Sequence, residues 1–355
     1  MLISLVGTVI ATAANGTGEG LITWLMLRFA AGAMSAWTLV ATSTWALREL
    51  TRARRPELAG LVYSGVGLGI AVVGLFCIVA ERLGVSAQLL WVELGALAAM
   101  IIAAPAVLLV SRLATEQAAA SPQTILWRLG DWPNGSAGIV ICYGLFGFGY
   151  ILPATFLPAL AREVVDDPRL FGLAWPIFGI AAAVSTAVVA LLFERVNRLR
   201  VWACSHLVMA TGVVLPTIWL SLKTIAIAAF LVGGTFMVVT MLGLQEARSR
   251  SPDNPTSILG RMTAAFAAGQ LAGPLASGAL GLLSSDHAAA LSMALQLAAI
   301  GLTMTAVVLW RLSPRSAPRP GTVAPPGQRR SRPRAAASSR RPSGLDERNH
   351  RPTSG

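Results

Sequence analysis

The stretch AGLVYSGVGLGIAVVGLFCIVA, residues 59–80, runs for 22 positions without a charged side chain. At about 1.5 Å per residue, a helix of that length covers roughly 33 Å, enough to cross the ~30 Å hydrocarbon layer of a bilayer. Its glycines at 65, 67, 69 and 74 do not have the G-x-G-x-x-G spacing of a nucleotide loop, and no strand precedes them. Close packing of one membrane helix on another accounts for them instead. Similar apolar runs recur as far as residue 311 of the 355-residue chain, which is 55% apolar and 12% charged. A soluble domain carries about twice that share of charge. The chain therefore reads as a polytopic membrane protein, and a large soluble enzyme domain is excluded because no polar block of domain size exists.

Ten spans emerge from the uncharged runs, at about 1–18, 21–47, 58–80, 87–110, 137–160, 170–193, 200–220, 224–246, 259–283 and 288–311. Residues 1–110 form a four-span N-terminal half, 111–136 a polar central loop, and 137–311 a six-span C-terminal half. Residues 312–355 are rich in Arg, Pro and Ser and are expected to be a disordered tail. The net charge of +12 lies mostly there, since 11 Arg face only Asp346 and Glu347 from Arg311 onward. No aromatic residue follows Trp310 to stack a base, so attraction to anionic lipid is expected rather than nucleic-acid binding. Cys77, Cys142 and Cys204 stand singly in apolar stretches, which argues against disulfides and metal sites. Neither a metal nor another cofactor is expected. An Ala11-Thr12-Ala13 cleavage site invites a signal-peptide reading of the first span, but no basic segment precedes it.

The basic residues set the orientation. With both termini in the cytoplasm, the inner loops hold Arg48, Arg52, Arg54, Arg55, Arg112, Arg128, Arg195, Arg198, Arg200, Arg248, Arg250 and Arg261. The outer loops hold only Arg82, Arg162, Arg169 and Lys223, beside the acidic Glu163, Asp166 and Asp167.

An internal repeat carries the architecture further. Gly65-x3-Gly69-x4-Gly74 recurs as Gly269-x3-Gly273-x4-Gly278, each glycine displaced by 204 residues. The preceding loops match as well, Arg52-Ala53-Arg54-Arg55-Pro56 against Arg248-Ser249-Arg250-Ser251-Pro252. Spans two and eight, and three and nine, are thus equivalent, and the unit is six helices. Two such units need twelve helices, so a pair is expected upstream of Met1.

Two six-helix halves joined by a cytoplasmic loop are the plan of the major facilitator superfamily, and the residues resemble it. Arg28-x3-Gly32-x3-Ala36 resembles the superfamily's intramembrane arginine motif, with Ala31 in place of the usual Gln. Ala190-x3-Glu194-Arg195-x-Asn197-Arg198 resembles its cytoplasmic loop signature in degenerate form. More narrowly, Leu27–Gly32, Tyr63–Gly69, Gly147–Pro158 and Arg261–Phe266 are similar to the YbfB/YjiJ-type facilitators. The resemblance covers residues 1–311. It implies an all-α membrane bundle, a 6+6 plan here reduced to 4+6, in the bacterial inner membrane. It also implies a secondary transporter and fixes no substrate.

Candidate substrate or proton-coupling residues follow from the cost of polar groups in hydrocarbon. Arg28 lies about eight residues into its span, suited to an anionic substrate group or to a clamp on backbone carbonyls. Glu93 and Glu19 are candidate titrating carboxylates, or otherwise interfacial acids. His206 is a conceivable proton relay, against the reading of a structural histidine. Gln270 neighbours Gly269 and the Gly273-Pro274 break, where freed backbone groups line a cavity or find partners. Pro153 and Pro158, among Phe148, Tyr150 and Phe156, suit either a kinked cavity-lining helix or aromatic packing against lipid.

The expected function is secondary transport of a small organic solute by alternating access, driven by protons and carried out by a monomer. A membrane-embedded enzyme would need clustered histidines or paired intramembrane acids, which the sequence lacks. A non-transporting fragment is the other alternative.

Overall fold

The computed structural model describes residues 1–55, 58–116, 136–164, 172–193, 195–251, 255–284 and 287–313. They form helices α1 (Leu2–Ala14), α2 (Leu21–Arg52), α3 (Ala59–Arg82), α4 (Ala87–Glu116) and α5 (Ser136–Val164). Then follow α6 (Ala174–Leu192), α7 (Arg198–Ile218), α8 (Leu222–Arg250), α9 (Pro255–Leu283) and α10 (His287–Leu312). Among the described residues there are no strands. Eight of the helices are long and apolar enough to cross a membrane. The exception at the N-terminus is α1, whose 13 residues cover only about 20 Å. It stops where Asn15-Gly16-Thr17-Gly18 ends the apolar run. In α4 the apolar segment is Ala87–Ala103, while the helix itself runs on past the expected end of its span to Glu116.

Local chemistry fixes several of the boundaries. Asn197 caps α7, its Oδ1 accepting from Leu199 N at 3.0 Å and Arg200 N at 3.4 Å. Ser221 and Thr224 close a reciprocal capping box on α8, with bonds of 3.2 and 3.0 Å. After α2 the chain turns through Arg54 at φ 55°, and Arg55 N bonds back to Leu50 O at 2.9 Å, as in a left-handed helix terminus.

The buried core is built mainly from α5 to α10, with Tyr63 of α3 joining it. The two halves meet where α3 lies along α6. A Cβ added to Gly67 would lie 2.6 Å from Gly179 O and 2.9 Å from Ala182 C, besides striking Ala183 N. Further along, one on Gly74 would lie 2.9 Å from Pro176. Gly60, Gly67 and Gly74 recur every seventh residue and face α6, which lets the two backbones touch.

The repeated glycines divide in an orderly way. A Cβ on Gly269 would strike Gly144 O and lie 2.8 Å from Phe148 N, and one on Gly273 would strike Ile151, all of them on α5. Their counterparts, Gly65 and Gly69, have nothing within 4 Å. The third pair is reversed: Gly74 is packed on α6, whereas Gly278 has nothing within 4 Å. The packed glycine of each pair thus meets α5 or α6, while its partner in the repeat is open. Whole helices show the same asymmetry. Of the repeat-equivalent α2 and α8, 67% of the apolar window of α8 is buried and none of that of α2. On α9, Leu271, Leu275 and Leu282 are bare, Leu282 at 91% exposure.

Candidate functional site

Arg28 projects from the start of the third turn of α2 on an exposed face. Its guanidinium lies 4.1 Å from the ring centre of Trp91 on α4 and 5.0 Å from that of Trp24 on its own helix. Stacking on two π faces holds the cation at about 0.5–2 kcal/mol per contact, the larger value applying where water is excluded. Among the described residues no carboxylate forms an ion pair with it. Glu93, two residues beyond Trp91, is half-buried, and Glu19 is exposed in the α1–α2 turn. Neither reaches Arg28. The structure thus brings Arg28 to Trp91 as well as to Trp24 one turn away, and the Trp91 pairing was not disclosed by the sequence because it depends on the placement of α4.

His206 has a different setting. It is fully buried in α7, with Trp202 Nε1 donating to its Nε2 at 2.9 Å. Its Nδ1 lies 2.7 Å from Thr305 Oγ1, which in turn donates to Leu302 O at 2.7 Å. These directions are mutually consistent for one neutral tautomer, protonated on Nδ1. Every polar atom of the set is engaged, and Phe146 stacks on the ring at 5.9 Å. The arrangement ties α7 to α10 and leaves neither ring nitrogen open to exchange a proton.

Gln270 is half-buried on α9, one residue from the Gly269 contact with α5, and its amide makes no hydrogen bond among the described residues. Tyr150 turns inward, its ring stacked on Phe236 at 4.3 Å and tilted against Phe178 at 6.2 Å. Phe148 and Phe156 also pack on the core, so α5 presents an aromatic face between helices rather than to lipid. Gly32 has nothing within 4 Å. Of the loop signature, Arg195 and Arg198 are exposed, and Arg198 Nη1 donates to Gln245 O at 3.3 Å. Glu194 lies outside the described residues. So do Arg128, Arg169, Asp166 and Asp167 of the loops, and the tail beyond residue 313.

Among the described residues no three His, Cys, Asp or Glu side chains group as a metal site. What these helices offer is the Arg28 cation held between two aromatic rings and an uncharged aromatic face on α5, α6 and α8.

The family model described as "Uncharacterised MFS-type transporter YbfB" matches residues 1–310. The chain belongs to this family of the major facilitator superfamily. Among curated proteins none matches the chain. Of solved structures, that of the human organic anion transporter MFSD10 (TETRAN) is similar, with a TM-score of 0.53 and 16% identity. The match covers 87% of this chain and 76% of that one. At that identity it is the fold that is shared. This YbfB-type chain is accordingly a multi-pass membrane protein, and its family and fold are those of transporters rather than enzymes.

Proposed function

We propose that this facilitator is a proton-coupled secondary transporter of a small amphipathic organic anion, working by alternating access in the bacterial inner membrane. The observation that carries the reading is Arg28, a charge eight residues deep in α2, held on Trp91 and Trp24 with no carboxylate partner among the described residues. A guanidinium so placed takes a carboxylate or phosphate in two parallel hydrogen bonds. The aromatic rings of α5, α6 and α8 supply a surface for the apolar body of such a solute. The fold neighbour described as an organic anion transporter is compatible with that class. In this reading Glu93 is the coupling carboxylate, Gln270 a polar contact for substrate, and both termini are cytoplasmic. The protein works as a monomer.

A second reading follows from the open glycines, in which the chain alone does not transport. Two further helices, equivalent to α5 and α6, seat on the bare faces around Gly65, Gly69 and Gly278 and complete the pathway beside Arg28. An upstream reading frame or a separate polypeptide could supply them.

The test is uptake of amphipathic carboxylates into proteoliposomes under an imposed proton gradient, with the chain alone and with any upstream helices restored. Arg28→Gln should abolish uptake at unchanged yield, and Arg28→Lys should restore little, because a flexible ammonium cannot reproduce a bidentate contact. Full activity of Arg28→Gln would overturn the assignment. Activity only with the added helices would establish the second reading.

A further inference from the structure

The ends of α2, α6 and α8 and the start of α7 enclose a cavity of about 400 Å³ that plays no part in the transport reading above. Its walls are largely apolar, with Leu47 on α2, Val189 on α6, Phe193 just after it, and Met241 on α8. Four polar side chains interrupt them: Thr51, Arg198, Gln245 and Arg248. Two of the neighbouring arginines are matched by carboxylates. Arg52 pairs with Glu49 at 2.7 Å and Arg250 with Glu246 at 2.8 Å. Neither Arg198 nor Arg248 has a carboxylate partner among the described residues. The Nε of Arg248 is in addition shielded from solvent and makes no hydrogen bond. Arg48 and the buried Tyr63 lie near enough to interact with Arg248 electrostatically, and Arg48 adds a further positive charge beside it.

A shielded guanidinium donor without an acceptor, beside a second cation and backed by apolar walls, is complementary to one kind of molecule. That molecule has an anionic phosphate joined to a hydrocarbon body. Free phosphate would satisfy the arginines and leave the apolar walls wet, whereas a neutral lipid would cover the walls and leave the donors unmatched. We propose that this cavity is a binding site for an anionic phospholipid, with its phosphate held by Arg198 and Arg248 and the start of its acyl chains against Val189, Phe193 and Met241.

The site takes one wall from each half of the protein, since Leu47 and Thr51 belong to α2 and the remaining walls to α6, α7 and α8. A lipid bound there holds together the ends of α2 and α8, which carry the matching arginine loops. It therefore favours the arrangement in which this end of the bundle is closed, the cytoplasmic end in the proposed topology. A ligand shifts an equilibrium only through differential affinity, and this cavity exists only while the two halves meet here.

The full chain, purified in a neutral detergent, is titrated with short-chain phosphatidylglycerol, phosphatidylcholine of the same chain length, and inorganic phosphate, with the melting temperature as readout. The expected result is a saturable rise with phosphatidylglycerol alone. In Arg248→Gln the concentration giving half the rise should increase about tenfold or more, the worth of one charge-assisted contact. Arg195→Gln, an exposed loop arginine that does not line the cavity, should leave it unchanged. If Arg248→Gln does not fold, Thr51→Leu, at an exposed position on α2 that lines the same cavity, should suppress the rise while keeping both arginines. An equal rise with phosphatidylcholine would overturn the proposal. So would a full rise with inorganic phosphate, or an equal loss in Arg195→Gln, which would mark general surface attraction.

Discussion

Gly67 and Gly65 are two residues apart on α3, and alanine at the two positions should have opposite effects. In a helix, Gly→Ala is worth up to about 1 kcal/mol of stabilisation through backbone entropy. At Gly65 nothing opposes that gain, because an added Cβ meets nothing within 4 Å. At Gly67 the same Cβ lies 2.6 Å from Gly179 O and 2.9 Å from Ala182 C, and it also strikes Ala183 N. Those atoms are backbone of α6 and cannot rotate aside, so α3 and α6 must part by several tenths of an ångström or more. Overpacking of this kind costs about 1–3 kcal/mol, and the backbone obstacle places this case toward the upper end. Subtracting the propensity gain leaves Gly67→Ala about 1–2 kcal/mol less stable than the parent, and about 2–3 kcal/mol below Gly65→Ala. Melting of the purified single variants in one detergent, at matched lipid content, measures the order directly. A Gly67→Ala protein that melts at or above the parent would refute the close α3–α6 approach. A Gly65→Ala protein that melts as low as Gly67→Ala would show that the Gly65 face is covered, and the open-face reasoning would fail.

Three further outcomes are expected. His206→Leu should lower the melting temperature substantially, because it strands the buried Trp202 N–H and Thr305 hydroxyl, each worth about 1–3 kcal/mol when left unmatched. Thr305→Val should lower it less, and a His206→Leu protein as stable as the parent would contradict the bonding described. Trp91→Ala should weaken uptake of anionic solutes by raising KM, since it removes the ring 4.1 Å from Arg28 and loosens the guanidinium; an unchanged KM would argue that the stack has no positioning role. Reporter fusions after Arg55, Arg200 and Arg250 should read cytoplasmic and fusions near Asp166 and Asp286 periplasmic, and a periplasmic signal after Arg200 would reverse the proposed orientation.

Much of this protein is written locally. The class follows from span length and lack of charge, because a bilayer of fixed thickness demands about twenty apolar residues wherever the chain crosses it. The six-helix repeat is visible because the glycines of α3 and α9 keep their spacing at a constant offset, and Arg28 stands out because an intramembrane charge is costly at any rotation of its helix. What each of these residues faces is another matter. Sequence treats Gly65, Gly69 and Gly74 alike, yet only Gly74 touches a neighbour, since the helix has several faces and only tertiary packing assigns partners to them. His206 looked the same as a relay or a structural group until Trp202, one turn back on α7, and Thr305, 99 residues away on α10, closed around both ring nitrogens. Arg198 and Arg248 likewise read as two more basic residues at helix ends. Only the meeting of α2, α6, α7 and α8 turns them into one cavity wall, because a site assembled from four helix termini has no spacing in the linear chain to betray it.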